Sequence, residues 1–333
     1  MADSHSGRNY CLDFVKGIAC ICVVFMHCEF PGKIGTLVQC VARFCVPYFF
    51  MVSGYFSYYK DGRAFPAKKK ISHIAAITLI ASVFYVLVAI MKHFLVGGSL
   101  SVSGKDIVYF TLFNKPFIIA GQLWFMFALL YVFILYAIVD KLKLQKAAYY
   151  SIPILIIVYI VLAQGCHLIG KNIPNMIYRN FLIEGFPLFM LGHFIHKNEE
   201  KLINRFSNRF LLIVITVSTL LCIAERYVLG RVFGVNICTF PQVFAIFLIA
   251  VKNQGWGSKS KLRILGTSYS LYVYVIHPFV WHTFQFIYSK LKISSNKPAL
   301  YLMPIMVLVI TIVLSIIVVK VIDTIKKERT VSE

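Results

Sequence analysis

Residues 12–30 read Leu12-Asp13-Phe14-Val15-Lys16-Gly17-Ile18-Ala19-Cys20-Ile21-Cys22-Val23-Val24-Phe25-Met26-His27-Cys28-Glu29-Phe30. No charged side chain falls between Lys16 and His27, and the stretch approaches the roughly 20 apolar residues that cross the hydrocarbon of a bilayer. Stretches of the same kind recur at 37–59, 71–96, 119–139, 148–165, 180–197, 209–229, 235–251, 264–289 and 299–325. The 235–251 stretch is the weakest, being short and containing Pro241, and 106–113 is too short to span at all. The pattern predicts an all-α membrane protein of about ten transmembrane helices with no soluble domain. The membrane-embedded domain is expected over 8–325, followed by a short cytoplasmic tail at 326–333.

Composition supports this solvent. Of 333 residues, 59% are apolar types and only 14% are charged, against roughly a quarter charged in soluble domains. Mean hydropathy is +0.78. A net charge of +21 could suggest nucleic acid, but the basic residues are spread in short clusters between apolar stretches, as in loops on the cytoplasmic face. No nucleic-acid partner is expected; the lipid bilayer is. The nine cysteines contain no CxxC pair and fall mostly inside apolar runs, so neither a disulfide framework nor a metal site is expected.

The clusters orient the chain. Arg8 and Lys16, Lys60 to Lys70, Lys141 to Lys146, Lys197 to Arg209, Lys252 to Arg263 and Lys320 to Arg329 fall on one side and hold most of the 34 basic residues. That bias places both termini in the cytoplasm of a multi-pass cell-membrane protein. Ten spans satisfy the even number this requires.

Charged and titratable groups within spans are costly and tend to mark function. With this orientation they gather toward the outer half of the membrane: His27 and Glu29, Arg43, Gln122 and Trp124, Arg179 and Glu184, Glu225 and Arg226, and His277. Each has a structural alternative. His277 precedes Pro278 and could cap carbonyls freed by the proline. Trp124 could be an interface anchor. Glu184 is harder to set aside, because a buried carboxylate needs a partner.

The first span carries the most specific signal. Lys16 and His27 lie close to three helical turns apart, on one stripe and ~16 Å apart along the axis. Asp13 stands one turn before Lys16, where it could simply form an i, i+3 ion pair. Histidine can take a proton from a hydroxyl nucleophile, and a lysine can hold phosphate as a point charge. A long donor with phosphates at one end and a reactive carbonyl at the other would bridge the two, and acyl-coenzyme A has that shape.

At these residues the chain resembles acyltransferase family three, the ten-span membrane O-acyltransferases. Asp13-Phe-Val-Lys16-Gly with His27 is similar to the family's motif of a basic residue, ten spacers and a histidine. Ala42-Arg43-Phe-Cys-Val-Pro47-Tyr-Phe-Phe-Met-Val-Ser53-Gly54-Tyr55 resembles its second-span signature, and Gln122-Leu123-Trp124-Phe125 its later aromatic motif. Gly185-Phe-Pro187-Leu-Phe-Met-Leu-Gly192 and Ser270-Leu-Tyr272-Val-Tyr274-Val-Ile-His277-Pro278 complete the likeness. The resemblance implies transfer of an acyl group, commonly acetyl, from cytoplasmic acyl-coenzyme A to a hydroxyl of an extracytoplasmic carbohydrate.

In that family the first-span histidine is catalytic, which maps to His27. From their place among the costly polar groups, Glu184 or Glu29 is expected to orient it and Arg43 or Gln122 to steady the oxyanion. Lys16 and Asp13 map to the donor end, together with a basic motif at Lys68, Lys69 and Lys70, near Lys60 and Arg63. Gln122, Trp124, Ser53, Tyr55 and His277 are the candidate acceptor-binding residues. The rival reading is a permease for a small polar solute such as an amino acid, whose carboxylate Arg43 could bind. No repeated half supports it.

Overall fold

A computed structural model describes residues 8–97, 102–116 and 121–332. Among them there is no strand, and every stretch expected to span is helical. Among the described residues seven helices are long and apolar enough to cross a membrane: Tyr10–His27, Gly32–Tyr55, Ala67–Phe94, Gly121–Lys141, Gln145–Leu168, Asn208–Leu229 and Lys297–Glu328. The remaining three expected spans correspond to Phe186–Lys197 with the π-turn Phe181–Gly185 before it, Thr239–Lys252, and Ser270–Lys290. The chain is an all-α membrane protein.

Local sequence accounts for the irregular elements. Thr239–Lys252 has 14 residues and covers only ~21 Å at 1.5 Å per residue. Pro241 lies in its first turn, where backbone N–H groups have no helical partner to lose. The stretch too short to span is the surface helix Gly104–Phe113, closed at its start by a capping box between Ser103 and Asp106. The last helix runs unbroken from Lys297 to Ser332, through 326–332. Outward residues of Ala67–Val96 such as Leu79, Ile80 and Leu87 are exposed, as a lipid-facing surface requires. All nine thiols are free.

Contacts divide the chain into two compact units: 1–46, 205–226 and 238–333 form the first, and 47–204 with 227–237 the second. In the first, Tyr10–His27 starts at Asn9, whose side chain accepts from the Leu12 N–H and donates to the Ala250 carbonyl at 3.0 Å. The helix then crosses 261–269 backbone against backbone. A Cβ on Gly17 would stand 2.0 Å from the Leu262 carbonyl oxygen, and one on Gly266 2.0 Å from that of Asp13. In the second unit, Cys45–Tyr55 crosses Phe186–Lys197 in the same manner. A Cβ on Gly54 would meet the Phe189 oxygen at 1.8 Å, and one on Gly192 the Met51 oxygen at 1.9 Å. Lipid gives helices no hydrophobic reason to associate, so close packing at small residues does that work.

Candidate active site

In the first unit, the Tyr10–His27 helix has a charged end and an imidazole end. Asp13 is buried and takes ion pairs from Lys16 at 2.9 Å and Arg8 at 3.0 Å. The i, i+3 pair foreseen as the structural reading is therefore present. Lys16 keeps 18% of its side chain exposed, and the Gly266 backbone packs against its Cβ. The π-turn Leu265–Tyr269 thus holds the base of the Lys16 side chain. Arg263, from the same segment, stacks over Tyr10 with its Cζ 5.1 Å from the ring centroid.

At the other end His27 meets His277. The ring centroids are 5.2 Å apart and the planes are inclined by 31°. His277 is fully buried. Its Nδ1 donates to the Val273 carbonyl at 3.0 Å, and the Tyr274 carbonyl, which Pro278 cannot bond, is also in reach. The carbonyl-capping alternative for His277 is thus part of the structure. It leaves something over. A carbonyl can only accept, so Nδ1 carries the hydrogen, and in the neutral ring Nε2 is a lone-pair acceptor. That Nε2 is buried with no hydrogen-bond partner among the described residues. Nothing in the spacing of the sequence pairs these histidines, which stand 250 residues apart.

Arg43 lies in the 3-10 turn Ala42–Phe44 and donates to Gln39, whose amide in turn donates to the Met26 carbonyl at 2.8 Å. This chain of hydrogen bonds links Arg43 to the residue preceding His27. Glu225, Arg226 and Arg43 all lie within electrostatic reach of Cys40. Glu225 also accepts from the Cys238 N–H at 3.4 Å. Glu29 is exposed.

The second unit holds the other candidates. Glu184 is 2% exposed, in the π-turn capped by Asn180. Glu184 and Arg179 both lie within electrostatic reach of the Tyr159 hydroxyl. Arg179 stacks on Trp124, its Cζ 4.3 Å from the ring centroid. Gln122 lies just before Trp124 in the 3-10 turn Gly121–Leu123. Ser53 donates to its own helix at the Phe49 carbonyl, and Tyr55 donates to Glu199 at 3.1 Å while stacking on His196.

Of the basic motif, Lys68 and Lys69 are exposed at the start of Ala67–Val96. Lys70 donates to the Phe56 carbonyl at 2.6 Å, tying down the chain that leaves the preceding helix. Lys60, Arg63 and Lys197 instead line a cavity of about 290 Å³ with Tyr58 and Tyr149. Within it His193 is bridged between the Tyr136 and Tyr149 hydroxyls at 2.5 and 2.8 Å. Lys197, read only as part of an orienting loop cluster, and His193 were not singled out as site residues because they sit at the end of an apolar run, where snorkelling and packing explain such residues equally well.

The described residues thus form an all-helical membrane bundle in which one helix carries an ion-paired lysine toward one end and a member of a histidine pair at the other. The acyltransferase-domain family model matches residues 9–322. The chain therefore belongs to acyltransferase family three and is a membrane acyltransferase. No curated protein and no solved structure matches it.

Proposed function

We propose that the protein moves an acyl group, acetyl in the first instance, from cytoplasmic acyl-coenzyme A to a hydroxyl of an extracytoplasmic carbohydrate. The observation that carries this reading is the His27–His277 pair at one end of the helix that holds Lys16 at the other. Both termini lie in the cytoplasm on this reading, so Lys16 faces the donor's compartment and His27 the acceptor's.

His27 acts as general base. It takes the proton of the acceptor hydroxyl, the oxygen attacks the thioester carbonyl, the C–S bond breaks, and the proton passes from His27 to the departing coenzyme A sulfur. His277 is the neighbour assigned to orient His27: its Nε2 lone pair, without a partner among the described residues, is the acceptor that one imidazole N–H of His27 turns to when the acceptor hydroxyl is bound, leaving the other nitrogen of His27 as the base. Glu184, the other residue expected in that role, is buried in the π-turn Phe181–Gly185 of the second unit. Arg43, linked through Gln39 to the backbone next to His27, is the group proposed to steady charge on the carbonyl oxygen. Lys16 meets the donor's phosphates. The basic cavity of the second unit is a separate candidate for the nucleotide end of the donor, and Lys60→Gln tests it without reference to Lys16.

The test is made on protein in lipid nanodiscs with radiolabelled acetyl-coenzyme A and envelope glycans. Label should move to glycan, or thioester should hydrolyse slowly in its absence. His27→Ala should lower the rate by about 100-fold or more, the usual scale for a positioned general base. Undiminished activity in His27→Ala, or no thioester consumption with any glycan supplied, would end the proposal.

A further inference from the structure

The second unit contains a cavity of about 360 Å³ at the head of the Trp124–Lys141 helix, lined among others by Phe113, Lys115, Pro116, Trp124, Pro174 and Arg179. Among the described residues its two charged lining residues are Lys115 and Arg179, and no carboxylate lines it.

Arg179 is held as a ligand-binding cation would be. Its guanidinium lies over the Trp124 indole, an attraction that strengthens as water is excluded. Its Nε is buried and has no hydrogen-bond partner among the described residues, and no ion pair of its side chain exists among them. Behind it Gly234 leaves the space: a Cβ there would stand 3.5 Å from Arg179 Cδ and 3.2 Å from the Tyr159 hydroxyl. A planar donor fork kept in place without a protein acceptor is complementary to an oxyanion from outside.

The walls are fixed as well. Asn114 adopts a left-handed backbone at φ 49°. Its side chain donates to the Trp124 carbonyl at 3.2 Å and accepts from the Phe181 N–H at 2.8 Å. One buried asparagine thus ties together three of the segments around the cavity. Phe113, Pro116 and Pro174 supply apolar faces, which suit the C–H faces of a sugar ring. The volume falls within the usual range for small-molecule sites.

We propose that this cavity binds an acidic sugar, one bearing a carboxylate or phosphate, with the oxyanion on Arg179 and Lys115 beside it. Calling that sugar the acceptor rests on the acyltransferase reading; the binding itself does not. The full-length protein, in nanodiscs of zwitterionic lipid, is titrated calorimetrically with galacturonate oligomers, galactose 6-phosphate and neutral galactose oligomers. The acidic sugars should bind at least tenfold more tightly than the neutral ones. Arg179→Gln should erase that preference, Arg179→Lys should keep part of it, and Lys292→Gln, an exposed cation of the first unit, should leave it intact. The two acidic probes separate carboxylate from phosphate.

Equal affinity for acidic and neutral sugars, binding by none of them, or a preference that survives Arg179→Gln overturns the proposal. So does complete displacement of the acidic sugar by phosphatidylglycerol added to the nanodiscs, which would make this a lipid site. No acyl donor is present in this experiment. Acidic-sugar binding alongside an unimpaired His27→Ala enzyme would retain this inference and discard the transfer chemistry, and the reverse result would do the opposite.

Discussion

His277 can hold only one tautomer while its Nδ1 is committed to the Val273 carbonyl, and this gives it a role a packing residue would not have. Removing the ring should leave donor binding intact and slow the chemistry. His277→Gln is expected to lower kcat by about 10- to 100-fold, less than the effect of losing the base itself, with KM for acyl-coenzyme A little changed. A purely structural role would show instead as loss of folded protein. Lys16 should behave in the opposite sense. Lys16→Gln is expected to raise KM for the donor several-fold with kcat retained, while Lys16→Arg keeps both, because either cation can meet phosphate. Steady-state kinetics over both substrates separates these outcomes. The sequence made His27 and Lys16 legible because both lie on one helix, where spacing alone fixes their relation. It could not pair His27 with His277, since that contact depends on how distant helices pack.

At the scale of elements, the four glycines at the two crossings decide whether helices meet at all. Gly17 and Gly266 face each other beside Asp13 and Lys16. A methyl group there meets backbone rather than a movable side chain, so the helices must separate. Overpacking typically costs about 1–3 kcal/mol, and Gly17→Ala belongs at or beyond the upper end. Thermal unfolding in detergent should show a Tm several degrees lower, together with reduced donor affinity as Lys16 shifts. Gly104→Ala serves as the control, because nothing stands within 4 Å of the Cβ it would add. The helices themselves were readable from runs of apolar residues. The π-turns at 161–165, 181–185 and 265–269 were not, because an extra residue in a helical turn leaves the hydrophobic pattern almost unaltered. Two of those turns carry Glu184 and Gly266, so the irregularities the sequence hides are also where side chains near the candidate sites are re-aimed.

At the scale of the whole molecule, the transfer reading depends on a direction. Loops 141–146 and 197–209 are basic and those near 171 and 290 less so, and a charge bias of this kind sets orientation through the loops flanking the spans. The bias is imperfect here, since Lys105, Lys115, Lys171 and Lys290 fall on the sparse side. Single cysteines placed at exposed lysines resolve it. Lys171→Cys should react with a membrane-impermeant maleimide in intact cells, and Lys143→Cys only after permeabilisation. Background labelling is low by construction, because every native thiol is buried or half-buried. The opposite pattern would put the His27 end on the donor's side and remove the reason for a helix with Lys16 at one end and His27 at the other. Transfer across the membrane would then give way to acylation of a cytoplasmic hydroxyl. The chemistry of the histidine pair would survive such a reversal, because a general base has no sidedness of its own. What orientation decides is which acceptor can reach it.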